Sequence, residues 1–249
     1  MVVMSVELKM EEVERESLKD LKVIVEKSKE WEIEMVVIGG YAVRAFTNAY
    51  RHTKDIDMAI SKEEQGSFTA LLKSLGYELR NTEFGLAATK SFDSDFIDVH
   101  ISVDKIYDIS SGLSYPITNE LFEEGKIRRV GTRYKVNKPY ETNAPIVDLN
   151  TLMILKTMPK GRPEKDAIDI VSLILDQHQE LDMDDIVGKC NDTNLTDHIL
   201  LQLQGFAKRL NNGEVLKTWS TITGTTLSGV KQKAVRQFIK GLDNKMRGR

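Results

Sequence analysis

The sequence predicts an α+β protein: a small mixed sheet flanked by helices, followed by a helical C-terminal domain. Three observations carry this prediction. Short apolar strand candidates alternate with helical stretches up to about residue 145. Beyond Pro145 the apolar residues recur at helical spacing. Within the first part, a glycine pair, Gly39-Gly40, leaves an apolar strand, and the next apolar strand carries two acids, Asp55 and Asp57, one residue apart. The expected domains are residues 1–145 and 146–249.

Taken in order, residues 6 to about 31 form a charged amphipathic helix, with Leu8, Val13, Leu18, Leu21, Val25 and Trp31 at roughly helical spacing. Glu34–Ile38 reads as a buried strand ended by the glycine pair, and Tyr41–Phe46 as a helix whose first turn contains Gly40. Ile56–Ile60 is the second strand, and Lys62–Leu75 the following helix, stopped by Gly76. Tyr77–Arg80 and Leu86–Thr89 are weaker strands, paired across Asn81–Gly85. Phe96–Ile101 alternates cleanly, with Ile97, Val99 and Ile101 on one face and Phe96, Asp98 and His100 on the other. Residues 104 to 144 read as loop-rich, with a short helix near Asn119–Glu124 and a hairpin in Lys126–Val136 around Gly131. Helices are then expected at Val147–Thr157, Glu164–Asp176, Met183–Lys189, Leu195–Leu210 and Val230–Asn244.

Composition narrows the class. The chain has 249 residues, 41% apolar and 29% charged, as in an ordinary globular protein. A formal net charge of −3 gives no global nucleic-acid signature. The one cysteine, Cys190, excludes an internal disulfide. No apolar run is long enough to span a bilayer, and the first residues lack the basic start and long apolar region of a signal peptide. A soluble, cytoplasmic protein with no membrane partner is the expectation.

The acidic strand carries the chemistry. Side chains alternate along a strand, so Asp55 and Asp57 share a face, their Cα atoms roughly 6–7 Å apart. Two adjacent carboxylates repel each other unless a cation or basic partner sits between them. Asp98, in the middle of an apolar strand, is a third acid in need of a partner. If its strand lies beside Ile56–Ile60, three carboxylates can hold two Mg²⁺ ions about 3.5–4 Å apart, an arrangement that clamps attacking and leaving oxygens in phosphoryl or nucleotidyl transfer. Gly39 and Gly40 let the backbone approach a triphosphate, and the helix start behind them favours anions.

In this order, Gly-Gly, an Asp-x-Asp strand and an apolar-Asp-apolar strand resemble the DNA polymerase beta-type nucleotidyltransferase superfamily. Ile38-Gly39-Gly40-Tyr41-Ala42-Val43 and Arg51-His52-Thr53-Lys54-Asp55-Ile56-Asp57 are most similar to its minimal and AbiEii-like toxin branches. Leu155-Lys156 and Arg162-Pro163-Glu164-Lys165-Asp166-Ala167-Ile168-Asp169-Ile170 resemble the segments that follow the core in AbiEii-like enzymes. Residues 34–175 carry the resemblance. It implies that Asp55, Asp57 and Asp98 bind two Mg²⁺ (or Mn²⁺) ions and that Asp98 promotes deprotonation of the attacking hydroxyl. It also implies that Gly39, Gly40 and Thr53 cradle the phosphates of a nucleoside triphosphate such as ATP, and that Lys156 and Lys165 balance charge on the departing pyrophosphate. Implied acceptors are tRNA ends, protein hydroxyls or a small molecule such as an aminoglycoside; the toxin branch implies an antitoxin partner. Many members have Gly-Ser where this chain has Gly-Gly, which removes a hydroxyl ligand.

Plainer readings stand beside these. Asp93 and Asp95 compete for the third-carboxylate role but precede the apolar strand and read as loop solvation. His100 is either a neighbour of the acidic site or a partly exposed strand histidine. Lys156 suits the end of a helix whatever its chemistry, and Lys165 with Asp169 has the spacing of a helical ion pair. Arg44 and Arg51 are phosphate contacts or ordinary arginines. The basic C-terminal stretch either guides an RNA acceptor or is a solvated face. Two other functions remain open: a catalytically silent nucleotide-binding or toxin–antitoxin module, and a metal-dependent phosphohydrolase.

Overall fold

The computed structural model describes residues 2–48, 50–82, 85–93, 95–132, 139–160 and 163–248. It divides into two compact units. The first holds residues 1–45, 52–107 and 114–148, the second residues 46–51, 108–113 and 149–249.

The first unit begins with α1 (Val2–Glu30), β1 (Met35–Ile38), α2 (Gly39–Phe46), β2 (Ile56–Ile60) and α3 (Gln65–Ser74). Next come β3 (Glu78–Thr82), β4 (Gly85–Phe92), β5 (Asp95–Val103), β6 (Lys105–Asp108) and β7 (Leu113–Pro116). The last elements are α4 (Asn119–Glu123), β8 (Lys126–Gly131) and β9 (Glu141–Ile146). These strands form one mixed sheet in the order β3-β4-β5-β2-β1-β9-β8, with β6 beside β5 and β7 beside β6. β2 runs parallel to β5, and β1 parallel to β9. The pairs β1–β2, β3–β4, β4–β5, β5–β6 and β8–β9 are antiparallel.

Burial follows the sequence pattern. All four residues of β1 are buried, as a strand flanked by partners and covered on both faces requires. α1 packs on β5, β9 and α3, with Val13, Leu18, Leu21 and Ile24 buried. Ile24, rather than Val25, continues that face. Trp31 lies past the helix end and is 46% exposed, so it is not part of the buried stripe. Glu32, at φ 56, turns the chain from α1 into β1. The side chain of Leu8 lies outside the described residues.

The region from 104 to 144 is not loop-rich: it contains β6 to β9. β9 escapes a sequence reading because Asn143 and Pro145 are poor strand residues. Pro145 is tolerated because the parallel contact of β9 with β1 is confined to Val37 and Ile146. The expected hairpin around Gly131 is also corrected. β8 ends at Gly131 and pairs with Glu141–Ile146; residues 133–136 of the expected hairpin lie outside the described residues.

A buried ion pair ties α1 to α2. Arg44 Nη2 lies 2.9 Å from Glu14 Oε1, with side chains 5% and 0% exposed, and Arg44 Nη1 donates to the Gly131 carbonyl at 2.8 Å. Arg44 is therefore occupied inside the first unit.

The second unit contains α5 (Leu149–Thr157), α6 (Pro163–Gln177), α7 (Met183–Asp192), α8 (Thr196–Asn211), α9 (Glu214–Thr223) and α10 (Gly229–Met246). α5 is buried almost all round and packs on α6, α7 and α8, which marks it as the central helix. α9 has no counterpart in the sequence reading, because its Thr-rich run is poor in strong helix formers. Gly213 and Gly224, both left-handed, bracket it, and Trp219 anchors it at 2% exposure. Segment 46–51 is bound to this unit. Asp176 accepts from Asn48 N at 2.8 Å and Tyr50 Oη at 3.1 Å, Gln177 donates to the Phe46 carbonyl at 2.6 Å, and the Tyr50 and Trp219 rings lie 4.9 Å apart. No described helix is long and apolar enough to cross a membrane.

Removing one partner of a buried ion pair leaves an uncompensated charge, at a cost of about 3–5 kcal/mol. Glu14→Ala is therefore expected to lower stability by about that amount in urea unfolding. A loss below about 1 kcal/mol would contradict the structural role assigned to the pair.

Candidate active site

The site is built where β1 turns into α2. Gly39 has φ +70, a left-handed conformation that glycine adopts without strain. An added Cβ at Gly39 would lie 2.0 Å from Asp57 Oδ2 and 2.7 Å from Asp57 Cβ. The register explains this crowding: Ile38 pairs with Asp57 across the antiparallel β1–β2 ladder. Any side chain at 39 would displace the Asp57 carboxylate. Gly40 follows within the first turn of α2 and is half-buried.

β2 and β5 bring the acids together. Ile56 pairs with Val99 and Asp57 with His100. The buried Ile56–Val99 pair faces the core, and Asp57 and His100 point to the opposite face. Asp55 and Asp98 are the residues immediately before Ile56 and Val99 on adjacent parallel strands, so alternation puts them on the face of Asp57 and His100. The side chains of Asp57 and Asp98 are 30% and 26% exposed.

His100 is the residue that the sequence left undecided. Its Nδ1 donates to Asp57 Oδ1 at 3.0 Å. That hydrogen bond raises the imidazole pKa above its ordinary value; burial opposes the shift, and the charges of Asp57, Asp55 and Asp98 reinforce it. Asp98 accepts from Thr89 Oγ1 at 2.6 Å, across the β4–β5 ladder. Arg80 stands 4.0 Å from the same oxygen and is largely exposed. Asp95 is the first residue of β5 rather than part of the loop before it. Its carboxylate accepts from Lys54 Nζ at 2.6 Å and from Phe96 N at 2.8 Å, and the Lys54 hydrogen bond leads in holding that carboxyl below its usual range.

The loop entering β2 is pinned from beneath. The Tyr41 hydroxyl donates to Ser17 Oγ at 3.0 Å and to the Thr53 carbonyl at 3.2 Å, and Ser17 donates to the Lys54 carbonyl. Thr53 N donates to Glu14 Oε1 at 3.4 Å, and His52 Nε2 to the Met10 carbonyl at 3.0 Å. Burial pushes the Tyr41 hydroxyl far above its ordinary pKa, so it remains a neutral donor. Tyr41 and Ser17 were missed as positioning residues. Their sequence signal is only a tyrosine after Gly-Gly and a serine on an apolar helix face.

Lys156 and Lys165 belong to the second unit. Lys165 is exposed on α6. Lys156 Nζ lies 2.9 Å from Asp169 Oδ2 and 3.7 Å from Asp166 Oδ1. Asp169, 1% exposed, also accepts a fork of bonds from Arg51, Nε at 2.6 Å and Nη2 at 2.7 Å. Burial would raise the Asp169 pKa, but Lys156 and Arg51 outweigh it and hold the carboxyl below its usual range. The suggested Lys165–Asp169 helical pair is therefore replaced by a buried cluster, and Arg51 is occupied by Asp169. Arg162 lies outside the described residues.

Among the described residues no three His, Cys, Asp or Glu groups converge to hold a metal ion. Asp57 is turned to His100, and Asp98 to Thr89. The donor chemistry nonetheless fits a hard cation, since Asp55, Asp57 and Asp98 offer only carboxylate oxygens. Rotation of Asp57 away from His100 would free Oδ1 for such an ion.

The family model for aminoglycoside-2''-adenylyltransferase matches residues 20–130, less than half of the chain. No curated protein matches the chain. JHP933 from Helicobacter pylori superposes with TM-score 0.53 and 11% identity, over 94% of this chain and 92% of that one. A proposed nucleotidyltransferase from H. pylori superposes with TM-score 0.50 and 12% identity, over 97% and 96%. At such identities structural likeness establishes the fold alone. The chain has a nucleotidyltransferase fold, and the family match supports a nucleotidyltransferase enzyme. The matched family is the aminoglycoside branch rather than the AbiEii-like branch that the motifs resemble.

The Asp57–His100 contact has a measurable consequence. The His100 pKa is raised in the fold, so the pair's stabilisation is fully present below about 6.5, the unfolded value. It is lost as pH rises through the higher folded value. NMR titration of the metal-free protein is expected to place His100 above about 6.5, and Asp57→Asn to return it towards that value. A wild-type value at or below about 6.5 would contradict the geometry.

Proposed function

We propose that the protein is a divalent-metal-dependent nucleotidyltransferase that moves a nucleoside monophosphate from a triphosphate to an acceptor hydroxyl. The observation that supports this reading is the register of β2 beside β5, which sets Asp57 against the Gly39 turn and aligns Asp55 and Asp98, each one residue before a paired position, with its face.

Asp55, Asp57 and Asp98 would hold Mg²⁺, with Mn²⁺ equally suited to their oxygens. Bound there, the ions would offset the charge of the triphosphate and favour ionisation of the acceptor hydroxyl. Gly39 keeps the backbone close to Asp57, so the glycine turn and the carboxylate form one surface. The first-turn N–H groups of α2 offer donors to a phosphate. Thr53 and Gly40 are proposed as further phosphate contacts. Asp98 is the proposed acceptor of the hydroxyl proton, and Thr89 holds its carboxylate in place. A role for Lys156 and Lys165 in balancing charge on the departing pyrophosphate is proposed from the motif resemblance alone; within its own unit Lys156 pairs with Asp169.

The family match favours a small acceptor bearing hydroxyl groups, of the aminoglycoside type, with ATP as the donor. Acceptors such as tRNA or protein, and an antitoxin partner, rest on the motif resemblance alone.

The test is transfer of α-labelled nucleotide in the presence of Mg²⁺, with aminoglycosides, total tRNA and a protein mixture as parallel acceptors. Label is expected on the aminoglycoside, with release of pyrophosphate. Label on tRNA or protein would overturn the acceptor assignment, and release of inorganic phosphate without transfer would overturn the reaction. Asp57→Ala is expected to abolish transfer. Gly39→Ala is expected to lower it at least about 10²-fold by displacing Asp57. Lys156→Ala is expected to reduce kcat by about 10²-fold, the usual loss when one charge-stabilising group is removed.

A further inference from the structure

Asp57 and His100 are direct cross-strand neighbours on the parallel strands β2 and β5. Ladder pairing keeps two such residues about 5 Å apart at the backbone, whatever their side chains do. An ionised carboxylate can only accept, so His100 Nδ1 carries the hydrogen of their 3.0 Å bond. The imidazole is 51% exposed, so the ring is no part of the core.

Asp57 Oδ1 is bound by His100, and Oδ2 lies against Gly39. Both oxygens of this carboxylate are thus turned to groups of the protein itself. Carboxylates aligned on one face repel one another when no cation lies between them. Among the described residues His100 is the sole ion-pair partner of Asp57, and its N–H offsets that repulsion. A divalent ion shared with Asp55 and Asp98 would offset it too, but would call on Oδ1. Imidazole and ion therefore compete for one oxygen.

We infer, building on the metal-dependent reading above, that His100 is a latch on the metal site. It holds Asp57 aside while the site is empty, and their hydrogen bond must be given up before Oδ1 can serve a divalent ion. The register fixes both backbones, so the latch opens by rotation of the Asp57 side chain between rotamers. His100 acts through Asp57 and is a positioning residue, not a ligand: its Nδ1 is spent as a donor, and the oxygens of the three acids are what a hard cation prefers. The latch lowers the affinity of the site for metal and stabilises the protein without it.

Titration of Mn²⁺ into the metal-free, full-length protein, followed by the electron paramagnetic resonance of the free ion, tests the latch. His100→Ala and His100→Phe both remove the donor, and the second keeps the bulk of the ring. Measured in one buffer, both are expected to bind Mn²⁺ about three- to tenfold more tightly than the wild type, as loss of one partly exposed charge-assisted hydrogen bond allows. Thermal melting gives a second readout, with circular dichroism to check that each variant folds. Without metal both variants are expected to melt below the wild type. A fixed excess of Mn²⁺ is expected to raise their Tm by more than it raises that of the wild type. A merely structural histidine would lower Tm equally with and without the ion, which would overturn the latch. Wild-type binding that is lost in Asp57→Ala, but unchanged or weakened in both His100 variants, would overturn the latch and leave the metal-dependent reading standing. Tighter binding in His100→Ala alone would trace the effect to the bulk of the ring and overturn the latch as well. Absence of Mn²⁺ binding in every form would overturn both the latch and the metal-dependent reading.

Discussion

The close approach of Asp57 to Gly39 is the constraint on which the first unit's site depends. One ladder position, Ile38 opposite Asp57, sets the acid directly against the turn that ends β1. The turn needs a left-handed residue, and the carboxylate needs a neighbour without Cβ. A single glycine meets both demands. The parallel pairing of β2 with β5 then adds Asp98 and His100 to the same surface.

Each unit has a buried acid that organises its own interior. In the first unit, Glu14 meets Arg44 and the Thr53 amide, so α1, α2 and the loop before Asp55 share one carboxylate. In the second, Asp169 meets Lys156 and Arg51. Buried pairs contribute little net stability over apolar side chains, but they are costly to break. Their value lies in geometry, since each holds a specific side chain or loop where apolar packing would allow several arrangements.

Much of this was legible in the sequence because it rests on local periodicity. The alternation around Asp98 and the Ile56–Ile60 strand depends on neighbours one or two residues apart, and both strands lie where the pattern puts them. The Gly39 turn was legible for a similar reason, since few residues other than glycine can leave a strand with positive φ. What stayed hidden depends on partners far along the chain. Pro145 masks β9, whose pairing with β8 is fixed by tertiary contact. Lys165 has ideal spacing to pair with Asp169, yet α6 turns Asp169 inward to Lys156 and Arg51 while Lys165 stays exposed. The same holds for Tyr41 and Ser17, whose hydroxyls matter only because α1 and α2 bring them under the Thr53–Lys54 backbone. Spacing alone cannot say which way a charged helix face will turn.

The most direct test of the central claim is a crystal structure with a non-hydrolysable nucleoside triphosphate and Mg²⁺. The account predicts the triphosphate against the Gly39–Gly40 turn, with Asp57 rotated off His100 and sharing metal ions with Asp55 and Asp98. Triphosphate bound away from that turn, or Asp57 still on His100 with the metal held elsewhere, would contradict it.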